Sequence, residues 1–286
     1  MAFSKLSGDA QGIILGQLRN MLEPRLVMYF SSASKELRAL LPPAVQQQLR
    51  TDYEEATALC LKGGMRGCKG LREAALVSWW DTGLSAADLA TLAKLGAVLQ
   101  ALKVLALQER SGSAGPDGVL QLAEGLVAGA PPAVTHLAIA GMHVGDAGAS
   151  ALAAALDRGA LPRLQGLGLG GAAIGDAALA ALAPALRRLP ALERLYLCDH
   201  PFGDEGLAAL VAPPPAAGTP PPPAGGLKKL KGLALRFTQI TNAGCAALVA
   251  ALDSGALPAL KQLDLSGIPA SDEAKAALSR AYLDAG

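Results

Sequence analysis

Three histidines and four cysteines are the side chains of this chain most suited to act as bases, nucleophiles or metal ligands. The spacing pairs none of the histidines, His136, His143 and His200, with a serine or cysteine nucleophile. No two cysteines have the C-x-x-C spacing of a metal site, and their positions are 60, 68, 198 and 245. The sequence therefore predicts no catalytic residue, no metal ligand and four buried, reduced thiols.

A glycine-rich segment imitates a nucleotide-binding motif. Gly166, Gly168 and Gly171 fit the pattern G-x-G-x-x-G that opens the helix of dinucleotide-binding folds. The leucines between them, however, belong to a repeat, and other copies of that repeat carry Ala138 or Tyr196 where this one carries Gly168. These glycines are thus predicted to be outward-facing strand residues, and no cofactor is expected.

The repeat is a Leu-x-x-Leu-x-Leu pattern that recurs about every 30 residues. Its first apolar residue stands at positions 102, 134, 164, 192, 230 and 260, and a degenerate copy begins at 74. The period of two at the second and third leucines predicts a short strand. A turn with Asp or Asn follows, which can cap a helix, and then comes a helical stripe. Because one unit cannot cover its own apolar face, the units must stack and form a parallel sheet.

This pattern resembles the leucine-rich repeat family, in the long-repeat subclass typified by the ribonuclease inhibitor. The resemblance covers residues 74–286 and implies an α/β horseshoe-shaped solenoid with parallel strands on the concave face, helices on the convex face and an N-terminal helical segment. The family usually places Asn or Cys three residues after the third apolar position, where the side chain supports the loop. The residues found there are Thr82, Arg110, Met142, Ala172, His200, Thr238 and Ile268, so loops held by backbone bonds alone are expected.

The segment before the repeats reads as short helices separated by Pro24, Pro42 and Pro43. It resembles an F-box over residues 1–50, on Leu6, Asp9, Ile14-Leu15, Leu18 and Ser34-Lys35-Glu36-Leu37-Arg38. An F-box would dock a Skp-type adaptor of a cullin ubiquitin ligase, here through Ile14, Leu18, Leu22 and Leu26. The alternative is a helical cap over the open end of the stacked core. Residues 51–73 would join the two parts, with Ala56, Leu59 and Leu61 as a partial first strand.

Composition narrows the function classes. Lys and Arg together number 25 against 24 for Asp and Glu, and this balance does not favour a nucleic-acid binder. The apolar runs are too short for a membrane span, and the N-terminus lacks the order of a secretory signal. A protein of the cytoplasm, or of the nucleus, is expected. A Pro-rich loop is expected at 212–226, inside the repeat region.

Leucine-rich repeat proteins usually bind partners on the concave face, so the resemblance implies a site on the outward strand positions. The central repeats carry mostly Ala and Gly there, whereas later repeats carry functional groups. The candidate partner-binding residues are Trp80, Arg194, Tyr196, Arg236, Gln262 and Asp264. Tyr, Trp and Arg are common interface hot spots. The predicted function is a non-enzymatic protein-interaction scaffold, with an F-box-type substrate receptor as its specific form. The alternatives are an enzyme regulator, either GTPase-activator-like or an inhibitor, and a structural subunit of a larger assembly.

Overall fold

A computed structural model describes residues 43–110, 114–211 and 227–284, together with Leu22 and Tyr29. Seven parallel strands form one sheet in chain order, and each strand pairs with its sequence neighbours. They are β1 (Leu76–Trp80), β2 (Val104–Gln108), β3 (His136–Ala140), β4 (Gly166–Gly168), β5 (Arg194–Tyr196), β6 (Gly232–Ala234) and β7 (Gln262–Asp264). The predicted fold class is confirmed: the chain forms an α/β leucine-rich-repeat solenoid.

One helix follows each strand and packs against the helix of the next repeat. The repeat helices are α3 (Ala86–Leu95), α4 (Gly115–Gly129), α5 (Gly145–Asp157), α6 (Asp176–Arg188), α7 (Asp204–Val211), α8 (Asn242–Asp253) and α9 (Asp272–Asp284). The second and third leucines of each repeat point toward these helices and join one continuous core. A fully buried leucine contributes about 1.5–3 kcal/mol, so each stacked slot adds several kcal/mol. The other side of the sheet, which we call the open face, has no helix over it among the described residues.

Two helices precede the first strand, α1 (Pro43–Lys62) and α2 (Cys68–Glu73). The prediction of a partial strand at Ala56, Leu59 and Leu61 is wrong, because all three lie within α1. Ala56 and Leu59 are three residues apart and both are buried, as on one face of a helix, whereas Leu61 is exposed. The boundary expected after residue 50 therefore falls inside a helix.

The first repeat is sealed at its N-terminal end by α1 and the turn after it. The indole of Trp79, the third apolar position of the degenerate copy, lies so close to Gly63 that a Cβ there would collide with the ring. Lys94 of α3 contacts Asp52 at 3.3 Å and Glu55 at 3.0 Å on α1. Thus α1 packs on the solenoid through both apolar and ionic contacts.

Carboxylate and amide side chains link the turn of one repeat to the turn of the next. Asp176 Oδ1 accepts from the backbone N–H groups of Gly203 (2.8 Å) and Gly206 (2.7 Å). Asp204 repeats this contact one unit later, with Thr241 and Gly244 as donors at 2.8 Å each. Asn242 then accepts from Ser271 at 2.7 Å. The Asp and Asn of the turns therefore bind the following repeat, where the sequence predicted capping of their own helix.

Loop support at the other positions also comes from side chains, which corrects the expectation of backbone bonds alone. Glu109 is 1% exposed, and its carboxylate accepts from the backbone N–H groups of Thr82 (2.9 Å) and Gly83 (3.0 Å) and from the Thr82 hydroxyl (3.0 Å). Thr238 donates its hydroxyl to the carbonyl of Leu235 at 2.8 Å. Hydrogen bonds of other side chains thus support the loops where the usual Asn or Cys is missing.

The contact between repeats through Asp204 gives a stability prediction. We expect Asp204→Ala to lower the free energy of unfolding by about 2 kcal/mol, because three donors lose a charged acceptor. Asp204→Asn, which keeps Oδ1, should lose less. The control is Glu205→Ala at the exposed neighbouring position. Urea unfolding measures the difference, and equal losses for Asp204→Ala and Glu205→Ala would contradict the role of Asp204.

Candidate functional site

The strand register aligns the outward side chains of the open face into rows that cross the sheet. The first row is Leu76, Val104, His136, Gly166, Arg194, Gly232 and Gln262, and the second is Ser78, Ala106, Ala138, Gly168, Tyr196, Ala234 and Asp264. Arg194 and Tyr196 thus stand side by side on β5. On the adjacent strands they have only glycine or alanine beside them.

The middle of the open face is bare, as the sequence predicted. Strands β2 to β4 present mainly alanine and glycine there, and the largest side chain is that of His136. Its ring lies over Gly166, where a Cβ would collide with it. Gly166 and Gly168, the first two glycines of the nucleotide-like motif, form β4 itself. In a phosphate-binding site, the corresponding glycines occupy a loop before a helix.

Five of the six predicted partner-binding residues are brought together at three adjacent strands, four of them on β5 and β7 and Arg236 just beyond the end of β6. We call this group with Phe237 the β5–β7 patch; it comprises Arg194, Tyr196, Arg236, Phe237, Gln262 and Asp264. Tyr196 and Phe237 are 45% and 56% exposed. A groove of about 490 Å³ lies beside Tyr196 and is lined by Gln262 and Asp264 and by Tyr282 of α9.

An ion pair orders the centre of the patch. Arg236 Nε lies 3.4 Å from Asp264 Oδ2. The other oxygen of Asp264 accepts from the Ser266 hydroxyl at 2.7 Å and from its N–H at 3.1 Å. These bonds from Ser266, together with the Arg236 charge, hold the pKa of Asp264 below its ordinary value. Asp264 is therefore a fixed carboxylate with its negative charge already matched.

Phe237 is the functional candidate that sequence reasoning missed. It directly follows Arg236 and has φ of 54°, in the left-handed region that bulky residues rarely adopt. Other repeats place Asp81, Gly141, Gly171, Asp199 and Gly267 in this conformation at the same position. The Phe237 ring lies against Gly267, where a Cβ would collide with it. The signal in the sequence was a lone aromatic residue at a repeat position that otherwise holds Gly, Asp or, in one repeat, Glu109.

Trp80, the sixth predicted residue, does not join the patch. It lies on β1, four strands away from β5, which at about 4.8 Å per strand is about 19 Å. The side chain is 64% exposed, and its Nε1 donates to Ser78 Oγ at 2.8 Å. Together with the exposed Leu76 on the same strand, it forms a separate apolar area.

Of the four predicted adaptor-docking residues, Ile14, Leu18 and Leu26 lie outside the described residues. Leu22 is described, and it is 5% exposed and part of the continuous core. The sequence argument required some of the four to be exposed for docking and all to be buried for a cap. Leu22 meets the requirement for a cap.

No metal or redox centre emerges from the part of the chain that the structure describes. No group of three or more His, Cys, Asp or Glu side chains there could hold a metal ion. The four cysteines are free and buried, which confirms that prediction. Burial, with Cys68 close by, raises the pKa of Cys60 to about 12, so its thiol stays protonated. In the same residues, no helix has the length and apolarity that a membrane span requires.

Comparison with known proteins adds a similarity of shape. No protein-family model matches the chain, and no curated protein matches it. Among solved structures, the chain is similar to an internalin C2 from Listeria monocytogenes, with 19% sequence identity and a TM-score of 0.40. That similarity covers 76% of this chain and 85% of the internalin chain.

His200 lies three residues beyond the third leucine of the β5 repeat and is only 3% exposed. Its Nδ1 accepts from the N–H of Ile174 in the preceding repeat at 3.3 Å. Burial lowers the pKa of the imidazole to about 4, and it outweighs the opposite influence of the Leu169 backbone and of Asp199. A neutral, buried ring that bonds to a loop has a structural role, so it offers no ligand position.

The lowered pKa of His200 gives a pH prediction. The unfolded chain binds the proton near pH 6.5, whereas the folded chain binds it near pH 4. The contribution of the neutral His200 ring to the free energy of unfolding is therefore fully present above pH 6.5. It is lost as the pH drops toward 4, by about 2 kcal/mol between pH 7 and pH 5. Urea unfolding should show this loss reduced in His200→Asn, which keeps an acceptor, and unchanged in the control His143→Asn. An equal loss in both variants would contradict the assignment.

Proposed function

We propose that this protein is a non-enzymatic protein-interaction scaffold and that the β5–β7 patch is its binding surface. The observation that carries the proposal is the clustering of an exposed tyrosine, an exposed phenylalanine and two arginines beside otherwise bare strands. Tyr and Arg are enriched at interface hot spots, because they bury large area and still form hydrogen bonds. A sheet with a continuous core holds these groups in fixed positions, which lowers the ordering cost of binding.

The chemistry of the patch favours binding over catalysis. Asp264 is already engaged by Arg236 and Ser266, so it is a poor general base. The nearby His200 is buried, and Cys198 is 7% exposed. Neither side chain is available to a substrate on the open face, and the patch pairs no nucleophile with a base. We therefore propose that the protein acts through its partners.

The enzyme-regulator alternatives receive little support from the same residues. An inhibitor of a basic nuclease would present carboxylates, whereas Arg194 and Arg236 stand on the open face. A GTPase activator would use an arginine at the loops after the strands. Arg110 is exposed at such a loop, and its backbone N–H donates to Asp81 at 2.8 Å. One exposed arginine is weak support for this alternative. A structural subunit of a larger assembly would use the patch in the same way as a scaffold.

The more specific proposal, an F-box-type receptor for a cullin ubiquitin ligase in the cytoplasm or nucleus, rests on residues 1–50. The buried Leu22 meets what a cap requires and leaves Ile14, Leu18 and Leu26 as the residues that would have to dock an adaptor. A pull-down of the full chain with a Skp-type adaptor tests the two. Given Leu22, we expect no capture by folded protein, and Leu22→Asp should lower the unfolding temperature. Capture that is lost in Leu18→Asp, with folding retained, would establish the F-box instead.

Partner capture tests the scaffold itself. We expect proteins that co-purify with the wild-type chain from native cells to be lost when Tyr196→Ala and Arg194→Ala are combined, because the patch loses both of its large side chains on β5. Both side chains are exposed, so the double variant should unfold within about 1 kcal/mol of wild type. The matched control is Trp80→Ala on β1. If the same proteins are retained by the double variant, the β5–β7 patch is not the binding surface.

A further inference from the structure

The β5–β7 patch and the lysines that precede β6 and β7 together have an excess of positive charge, which the net charge of +1 conceals. Arg194 forms no ion pair within the described residues, and neither does Lys261, which directly precedes β7. Lys229 is exposed before β6, and Lys231 lies two residues after it. Among the described residues at this edge, the carboxylate of Glu193 is paired with Lys231 at 2.8 Å, and Arg194 and Lys229 also act on its charge.

The carboxylate of Asp264, at the opposite end of the patch, is also occupied, because Arg236 and Ser266 bind it. The positive charges that form no ion pair with a described residue include those of Arg194, Lys229 and Lys261. Interfaces match opposite charges, so these groups select a partner that carries carboxylates.

Two aromatic rings supply the apolar part of the same surface. Tyr196 lies two residues after Arg194 on β5, so both side chains point to the open face, about 7 Å apart along the strand. Phe237 stands at the far end of β6 in a left-handed conformation that costs stability for a bulky residue. Gly or Asp would occupy that position at lower cost, as in five other repeats. An exposed ring kept at such a position points to use in binding.

On these grounds we propose that the partner of this patch is an acidic peptide segment of another protein. Its carboxylates would contact Arg194 and Lys261, where the strands begin, and its apolar side chains would contact Tyr196 and Phe237. The bare strand β6, with Gly232 and Ala234, leaves room for the segment between these groups. This inference rests on the proposed function, since it names the chemistry of the partner for the same site.

The test selects a displayed library of random 16-residue peptides on the full chain. We expect the enriched peptides to carry several Asp or Glu residues together with aromatic or aliphatic residues. Binding of a selected peptide should weaken about tenfold or more in the double variant Arg194→Gln, Lys261→Gln, and it should weaken as salt rises. The matched control is Lys103→Gln, because Lys103 precedes β2 at the position equivalent to that of Lys261 and should leave binding unchanged.

Phe237→Gly separates binding from folding. This variant should lose affinity for the selected peptide while it unfolds at the same or a higher temperature, because glycine relieves the left-handed backbone. A lower unfolding temperature with unchanged affinity would mean that Phe237 serves the fold alone, which would overturn its part in the proposal.

Other outcomes overturn the proposal as a whole. They are enrichment of neutral or basic peptides, no enrichment at all, and affinity that the double variant leaves unchanged. Competition by a single-stranded RNA 12-mer at equal strength would assign the surface to nucleic acid. If native partners are still lost in the Tyr196 and Arg194 variant while acidic peptides fail, the scaffold stands and only the acidic partner is wrong. If native partners are also retained, the proposed function fails.

Discussion

The stacking of one leucine slot on the next is the interaction on which the rest of this structure depends. A single repeat presents Leu195 on a three-residue strand and Leu197 directly after it on the same side, and so short a segment cannot enclose a core. Each slot is closed only by the repeats on either side. The strand spacing of about 4.8 Å then fixes how far apart neighbouring repeats can be. Polar groups must fit that distance, and Asp176 and Asp204 do so by accepting backbone donors one repeat further along.

This spacing explains why the glycines of the turns are required. Gly206 and Gly244 donate to the aspartates of the preceding repeat, and a Cβ at either position would press on the same carboxylate. It also explains the scarcity of aromatic residues, which make up 3% of a chain that is 51% hydrophobic. The slots that recur along the stack hold mainly leucine, although Phe202 is fully buried in one of them. Trp79 is accommodated at the end of the stack, where it meets Gly63.

The periodic features could be predicted from the sequence because they depend on local spacing. The alternation of side chains in Leu-x-Leu predicts each strand. The register of Arg194 with Gly166 and Gly232 follows because the three residues hold the same position in their repeats. The contacts between repeats were not accessible in this way. Glu109 and Asp176 bind donors 26 to 30 residues away, and nothing in their own repeat marks them as acceptors. The α1 helix was misread over Ala56 and Leu59 because a short apolar stretch fits a strand and a helix equally well.

Phe237 shows what a solenoid can reveal about function that an irregular fold conceals. Each repeat is an internal reference for the others, so the left-handed position is defined by Gly141, Gly171, Asp199 and Gly267 before Phe237 is considered. Folding alone favours glycine there, and burial cannot account for a ring that is 56% exposed. The side chain instead lies on Gly267, beside the paired Arg236 and Asp264, with its free surface turned to solvent. A stability cost that this half-exposed contact offsets only in part is explained if the rest of the gain comes when a partner binds.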